Sequence, residues 1–389
     1  MRFKLCDDPW GPEEIAAIQS VIDSGMYTMG TKVHQYEEKF AEKYGAKYAV
    51  MVSSGSAANL LAIAALVYSK RLPRGFEVIV PAVSWSTTYA PLEQYGMKLV
   101  FVDIDKETLN ISVDALKGAI TEKTKMIFLV NLLGNANQFD EVFAVCRDKD
   151  ILVIEDNCES LGARYHGKFL GTLGLLGTYS TFYSHHMCTM EGGVVVTNDT
   201  ELYEYMLSVR AHGWTRNLPE SSSIYQKKEN PFYESFNFIM PGFNLRPLEM
   251  EGAIGLEQLK KIDGMIAQRR KNAEYFHSAM RRFENIRLQK EIGESSWFGF
   301  SLVLEGELKG KRDLLVEKLR RAEIEVRPIV AGNFTRNKVI EFMDYEIPAP
   351  LTNADDIHDN GFFIGNHSKN NFAEIDYFVE VLDSALREM

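Results

Sequence analysis

The chain has little of what marks secreted, metal-binding or nucleic-acid-binding proteins. Its four cysteines are spaced neither as metal ligands nor as a disulfide framework, and they are Cys6, Cys146, Cys158 and Cys188. The 43 basic residues are outnumbered by 54 acidic ones, and the net charge of -11 argues against binding to nucleic acid or to anionic membranes. We therefore expect reduced thiols in a cytoplasmic protein that binds no metal.

Long apolar segments are also scarce. Residues 1–11 include Asp7, Asp8 and Pro9 and have no apolar core, so we expect no signal peptide. Residues 48–69 are mostly apolar and approach the length of a membrane span. The run Ser53-Ser54-Gly55-Ser56 interrupts them, which predicts a short strand, then a buried helix, and no membrane association.

Short β-rich runs alternate with longer helical patterns through the first two thirds of the chain. This alternation predicts an α/β fold with a mainly parallel, seven-stranded sheet and helices on both faces. After about Asn244 a long charged helical stretch and fewer strands follow, which predicts a large domain over residues 1–250 and a smaller α+β domain over residues 251–389. The predicted strands of the large domain are Tyr48–Val52, Glu77–Val80, Lys98–Val102, Lys125–Val130, Leu152–Glu155, Thr178–Phe182 and Val194–Thr197.

Small and acidic residues follow two of these strands. Ser56 and Ala57 begin a helix, whose free backbone N–H groups could bind a phosphate, although an ordinary serine cap explains them equally well. Asp156 ends a buried strand, where its carboxylate could pair with a protonated pyridine nitrogen or cap the next turn. Glu159 follows one turn later and could reach a phenolic oxygen of the same ring or orient a histidine.

Two further side chains are expected at the same edge of the sheet. Trp85 could stack on a flat ring, although core packing is the commoner role of a tryptophan. Ser180 could donate its hydroxyl to a phosphate or serve only as a strand residue. Together with the serine-rich helix start and Asp156, they predict a site for a flat, phosphorylated, basic ring.

Several motifs, in order along nearly the whole chain, resemble the nucleotide-sugar aminotransferase and dehydratase family of the aspartate-aminotransferase superfamily. The resemblance implies fold type I of the enzymes that depend on pyridoxal phosphate (PLP). It also implies that Ser56, Ala57 and Ser180 hold the PLP phosphate, Asp156 holds the pyridine nitrogen and Trp85 stacks on the ring. Asn244 would reach the phosphate from a neighbouring subunit, so a homodimer with a shared active site is expected. The motifs are Tyr27-Thr28-Met29-Gly30, Ser53-Ser54-Gly55-Ser56-Ala57-Ala58, Val102-Asp103-Ile104-Asp105, Ile154-Glu155-Asp156, Glu191-Gly192-Gly193 and Gly242-Phe243-Asn244-Leu245-Arg246.

One position departs from the aminotransferases of that family. His185 stands six residues before the Glu191-Gly192-Gly193 motif, where they carry the lysine that binds PLP as a Schiff base. Imidazole has no primary amine, and no lysine occurs between Lys168 and Lys227. Within the family this replacement is similar to that of the sugar 3-dehydratases. The resemblance implies that His185 is the catalytic base and that His212 assists it. We expect His186 to be a packing or hydrogen-bonding neighbour.

The same resemblance implies the reactants. L-Glutamate would convert PLP to pyridoxamine phosphate (PMP), and the reaction would release 2-oxoglutarate and ammonia. The nucleotide-sugar substrate would be a GDP-linked 4-keto-6-deoxy sugar, bound by Thr28, Arg216 and Arg327, although a surface ion pair explains Arg216 about as well. Because the chain has no grouped cysteines, it departs from the branch of sugar dehydratases that uses an iron–sulfur cluster.

Three alternatives stay open from the sequence. The chain could dehydrate another nucleotide-linked 4-keto-6-deoxy sugar, because no motif specifies the base. It could be a nucleotide-sugar aminotransferase, which the missing lysine disfavours. It could also be a regulatory protein of this fold without catalysis, although the retained cofactor residues argue against that.

Overall fold

The computed structural model describes all 389 residues. The α-helices are α1 (Pro12–Ser24), α2 (Thr31–Tyr44), α3 (Gly55–Tyr68), α4 (Ser86–Gln94), α5 (Val113–Ala119), α6 (Phe139–Cys146), α7 (Thr200–Arg210), α8 (Pro231–Glu234), α9 (Glu249–Met280), α10 (Arg312–Arg321), α11 (Thr352–Asn360) and α12 (Phe372–Arg387). The strands are β1 (Tyr48–Val52), β2 (Glu77–Pro81), β3 (Lys98–Val102), β4 (Thr124–Val130), β5 (Leu152–Asp156), β6 (Arg164–Tyr165), β7 (Lys168–Phe169), β8 (Leu176–Ser180), β9 (Gly193–Thr197), β10 (Ile286–Leu288), β11 (Gly299–Leu304), β12 (Val326–Arg327), β13 (Tyr345–Glu346) and β14 (Gly361–Gly365). None of the helices combines the length and the apolar composition that a membrane crossing requires.

The large sheet confirms the predicted fold class and differs from the prediction in strand number. Its order is β1-β9-β8-β5-β4-β2-β3-β13, so it has eight strands rather than seven. All seven predicted strands are present, and β9 alone runs antiparallel to its neighbours. The eighth, β13, pairs in parallel with β3 from the far end of the chain, with Tyr345 opposite Leu99. A strand of two residues is too short to show the alternation by which strands are predicted.

Buried strands and one buried helix bring the chain to the edge of this sheet where ligands usually bind. β2, β8 and β9 are buried along their whole length, as expected for a sheet covered on both faces. Helix α3 packs against α4 and α7 and is apolar around nearly its whole circumference. A Cβ on Gly193 would lie 2.2 Å from the Ser54 carbonyl oxygen, so β9 can approach the start of α3 this closely only with glycine.

A second apolar core forms around a four-stranded antiparallel sheet of order β10-β11-β14-β12. Phe276 from the later part of α9 stacks on Phe300 of β11 at 4.2 Å between ring centroids. Phe3 lies in the same core, and its backbone pairs with Ile324, so the start of the chain packs on this C-terminal unit. Helix α9 crosses the predicted boundary at residue 250 and also packs on α1 and α2. The division into residues 1–250 and 251–389 stays a prediction.

Candidate active site

A cavity of about 370 Å³ lies where the ends of β4, β5 and β8 meet the first turns of α3 and α4. Phe298, Val330 and Phe363 from the C-terminal part of the chain form another wall. Its size and its mostly apolar lining with a few polar groups are typical of a small-molecule site. Seven of the predicted site residues line it together: Ser56, Trp85, Asp156, Glu159, Ser180, His185 and Arg327.

Asp156 is the most constrained polar group in the cavity. Its Oδ2 accepts hydrogen bonds from Asn59 Nδ2 and Thr88 Oγ1, each at 2.8 Å, and its Oδ1 accepts one from the Cys158 amide at 3.1 Å. Only 5% of Asp156 is exposed. These three contacts are all donors, and the carboxylate oxygens have further lone pairs that can accept a hydrogen bond from a cationic ring nitrogen.

The start of α3 forms a small polar corner beside Asp156. Ser54 is the cap residue, and its Oγ accepts a hydrogen bond from the Ala57 amide at 3.0 Å. Ala57 does not line the cavity, and the first two helical amides, of Gly55 and Ser56, are the ones without an intrahelical partner. A Cβ on Gly55 would lie 2.6 Å from the Ser180 Cβ, so Ser180 closes over this corner. The helix start and this hydroxyl can therefore receive an anion together.

Trp85 stands at the mouth of the cavity. It is the residue immediately before α4, and 59% of its surface is exposed although it lines the cavity. An indole with one free face can stack on a flat ring. The core-packing alternative is therefore wrong for this tryptophan.

His185 lies on the turn that follows β8 and is half-buried. Its ring centroid is 5.1 Å from that of Phe298 and 5.8 Å from that of Phe182, and its buried Nδ1 has no hydrogen-bond partner. Burial, followed by the positive charge of Arg269, lowers the pKa of His185 to about 4. At neutral pH the imidazole is therefore uncharged and can accept a proton.

The neighbouring histidine has a structural environment. His186 is fully buried, and its Nε2 donates to the Ser296 carbonyl oxygen at 3.1 Å. Burial also holds its pKa well below the usual range. His186 does not line the cavity, in agreement with the packing role expected for it.

Glu159 faces the cavity from the turn after β5. Its Oε2 accepts a hydrogen bond from the Leu133 amide at 3.0 Å, and Leu133 has a left-handed φ of 52°. Burial raises the pKa of Glu159 to about 7, and the neighbouring charge of Asp156 acts in the same direction. Glu159 therefore exchanges a proton near neutral pH.

Besides Ala57, four predicted residues do not line the cavity of their own chain: Thr28, His212, Arg216 and Asn244. His212 and Asn244 are close to each other, because Ala211 forms a backbone bridge with Asn244 and the His212 amide donates to Phe243. Asn244, Arg216 and Thr28 are exposed. The neighbouring apolar side chains of Tyr27, Phe236, Phe238 and Leu248 are also exposed.

Several lining or supporting residues were not predicted. Asn59 lies one helical turn after Ser56, a spacing that places both on one face of α3, so its contact with the site was open to prediction. Phe298 and Arg269 come from the distant C-terminal part, and no local pattern brings them to His185. Glu191 lines the cavity as well, although it was noted only as part of a motif.

The chain matches known proteins over almost its whole length. Residues 10–383 match the DegT/DnrJ/EryC1/StrS aminotransferase family. Over 371 residues, 94% of each chain, it is 58% identical to a GDP-4-keto-6-deoxy-D-mannose 3-dehydratase of Yersinia pseudotuberculosis.

Two solved structures resemble the chain closely. One is a histidine-to-asparagine variant of GDP-4-keto-6-deoxymannose-3-dehydratase with bound GDP-perosamine, at 54% identity and a TM-score of 0.96 over 98% of this chain and 100% of that one. The other is GDP-4-keto-6-deoxymannose-3-dehydratase with a trapped PLP–glutamate geminal diamine, at 53% identity, the same TM-score and the same coverage. Both support the fold class predicted from the sequence.

Proposed function

Because this chain belongs to the DegT/DnrJ/EryC1/StrS aminotransferase family, we propose that it is a PLP-dependent enzyme that removes the C3 hydroxyl of GDP-4-keto-6-deoxy-D-mannose. L-Glutamate is the amino donor, and 2-oxoglutarate and ammonia are released. The observation that carries the proposal is His185, which lines the cavity in a segment that has no lysine between residues 168 and 227. The product is a 3,6-dideoxy sugar of the colitose type.

The residues of the cavity fit PLP at both of its polar ends. Asp156 offers a buried carboxylate to the pyridine nitrogen, and the corner formed by Gly55, Ser56 and Ser180 offers donors to the phosphate. Trp85 covers one face of the ring. The Nδ1 of His185, buried and without a partner, leaves this imidazole with an unused hydrogen-bonding group. When bound, PLP takes up the amino group of glutamate and then withdraws electrons from the sugar, which allows the C3 hydroxyl to leave.

The chain itself supplies the proton transfers and the orientation. His185 is neutral near pH 7 and half-buried, so it removes a proton and delivers it to the departing C3 hydroxyl on the same face of the site. Phe298 and Phe182 pack against the imidazole and orient it. Glu159 either holds a proton near the ring or accepts one, according to pH.

We place the remaining residues in a site shared between two subunits. Thr28, Arg216 and Asn244 are exposed in one chain, beside apolar side chains that a second copy would cover. Asn244 then reaches the phosphate in the partner's cavity, and His212 assists the partner's histidine base. Thr28 and Arg216 contact the nucleotide sugar there, and Arg327 contacts it within its own cavity.

The stoichiometry of released products tests the proposed function. With PLP, L-glutamate and GDP-4-keto-6-deoxy-D-mannose, we expect one ammonia and one 2-oxoglutarate for each sugar consumed, because glutamate supplies the two electrons that replace the hydroxyl by hydrogen. The variant His185→Asn is the control, and it should release neither 2-oxoglutarate nor ammonia catalytically, because both stages of the reaction need a proton transfer by this base. Formation of 2-oxoglutarate without ammonia by the parent protein would contradict the dehydratase assignment.

A further inference from the structure

We propose that Asn59 and Thr88 are positioning residues that act through Asp156 to keep the pyridine nitrogen of the cofactor protonated. This inference rests on the proposed function only in its requirement that PLP binds. It concerns two side chains that touch neither the substrate nor the reacting atoms. Neither has a role in the sequence-based predictions.

Asp156 accepts a hydrogen bond in each of these contacts. Asn59 and Thr88 both donate to Oδ2 at 2.8 Å, and the Cys158 amide donates to Oδ1 at 3.1 Å. Asn59 is 1% exposed and Thr88 is fully buried, so water cannot replace either donor. Because every partner donates, a protonated Asp156 would lose at least one hydrogen bond at a buried site.

The hydrogen-bond partners of Thr88 and Asn59 fix the direction of these hydrogen bonds. Thr88 has a single hydroxyl proton, which it gives to Asp156, and it can then accept from Ser84 Oγ at 2.7 Å. The Asn59 Oδ1 accepts from Thr178 Oγ1 at 2.6 Å, which turns the amide nitrogen toward Asp156. Ser84 and Thr178 are also buried. Two chains of donors therefore converge on one carboxylate, and none of these contacts accepts a proton from it.

An ionised carboxylate opposite the ring nitrogen stabilises the protonated form of that nitrogen. A protonated ring withdraws electrons better than a neutral one, which is the property that elimination of the hydroxyl requires. If Asn59 and Thr88 were merely structural, they would join α3 and α4 to β5 without affecting the ring nitrogen. The two roles predict different results for the bound cofactor.

The test uses PLP isotopically labelled at the pyridine nitrogen, observed by nitrogen NMR on the full-length protein without substrate. The matched pair is Thr88→Val, which removes the hydroxyl at nearly constant volume, and Thr88→Ser, which keeps it. Asn59→Leu is a second loss of a donor. We expect Thr88→Val and Asn59→Leu each to weaken PLP binding at least tenfold, the usual scale for a hydrogen bond to a charged group. We expect the ring nitrogen to lose its proton at a lower pH in both variants, and Thr88→Ser to behave as the parent.

The inference is overturned if the valine and leucine variants keep the parent's nitrogen titration and PLP affinity. It is also overturned if the PLP affinity and the nitrogen titration change as much in Thr88→Ser as in Thr88→Val. Should Thr88→Val and Asn59→Leu not fold, Ser84→Ala carries the test, because Ser84 does not touch Asp156; a smaller shift in the same direction supports the inference, and an unchanged titration overturns it. A parent protein that does not bind PLP would instead overturn the proposed function, and this inference with it.

Discussion

Two parts of the molecule contain predicted site residues. They differ in how many contacts their side chains make within one chain. The cofactor floor consists of buried or half-buried groups within one chain, namely Asn59, Thr88, Asp156, Glu159 and His185. The first four have hydrogen-bond partners, and His185 packs against Phe298. The aromatic rim is largely exposed and lies outside the cavity, and it consists of Trp214, Arg216, Phe236, Phe238, Asn244 and Arg246.

The two regions differ more clearly in the contacts of their side chains than in their amino-acid composition. In the aromatic rim, the guanidinium carbons of Arg216 and Arg246 lie 5.8 and 6.0 Å from the centroid of Trp214, yet neither arginine forms an ion pair. The floor is formed within one chain, whereas aromatic and cationic side chains of the rim remain exposed. A second copy of the chain can cover them. The difference teaches that the floor is built within one chain, whereas the rim is the part that a second copy would cover under the proposed function.

The largest expected effect comes from changing the base in the floor. His185→Lys introduces the only primary amine of this segment, so we expect covalent attachment of PLP, visible as a shift in its absorption. We expect dehydration to fall by at least about a hundredfold, because general acid–base catalysis by the imidazole is lost.

The matched control is His185→Asn, which should lose dehydration without attaching the cofactor. A lysine variant that dehydrates at the parental rate would show that His185 is not the base.

Mixing two inactive variants tests whether the rim belongs to a shared site. His185→Asn disables the floor of its own chain, and Asn244→Ala disables the contribution to the partner. If each dimer site uses one floor and one partner Asn244, an equal mixture after subunit exchange should regain up to about a quarter of the parent activity. Two variants of the floor, His185→Asn and Asp156→Asn, should not complement each other, because each disables the floor of its own chain, and their mixture sets the baseline.

Recovery no greater than that of either variant alone would place Asn244 outside the partner's site. A monomeric parent protein in sedimentation analysis would lead to the same conclusion.

A smaller effect is expected from the cation behind the floor. Arg269 is buried, forms no ion pair, and donates to the carbonyl oxygens of Phe298 at 3.2 Å and Asn366 at 2.6 Å. Because its charge is the second cause, after burial, that lowers the pKa of His185 to about 4, Arg269→Gln should raise this pKa. NMR titration of His185 in the protein without PLP measures the shift, and Arg269→Lys, which keeps the charge, is the control.

The groups facing Arg269 include Cys6 and Asp7, which favour its charged form, and His186, whose pKa it also lowers. Equal midpoints for His185 in the glutamine variant and the parent would show that burial alone accounts for the low pKa.

The smallest expected effect concerns Glu159 and stability. Its pKa is raised from an ordinary 4.5 to about 7, so between these values the folded protein binds more protons than the unfolded chain and its stability falls as pH rises. Glu159→Gln removes this dependence and still offers an acceptor to Leu133. We expect the variant to be more stable than the parent by about 1–2 kcal/mol above pH 7, with little difference near pH 4.

Chemical denaturation at several pH values measures this difference. A stability difference that is constant with pH would mean that folding does not raise the pKa of Glu159.

The sequence was sufficient for the parts of the molecule that are local. The large sheet followed from seven apolar runs, and Ser56, Asp156 and Ser180 followed from their positions at strand and helix ends. Distant contacts were out of reach: β13 is too short for a pattern, and Phe298 and Arg269 meet His185 only after the C-terminal unit packs. The amide of Ala57 was assigned to the phosphate, whereas it donates to Ser54 Oγ, a choice among neighbouring donors that side-chain geometry decides. His212 and Asn244 lie outside their own cavity, so the roles expected for them require a second subunit and stay predictions.

The mass of the nucleotide sugar after reaction tests the central claim most directly. The parent protein is incubated with PLP, L-glutamate and GDP-4-keto-6-deoxy-D-mannose, and the sugar is then analysed by mass spectrometry. We predict a product lighter than the substrate by a single oxygen atom and free of added nitrogen. A product in which nitrogen replaces the C4 oxygen would show that the protein is an aminotransferase despite His185, and would contradict the account.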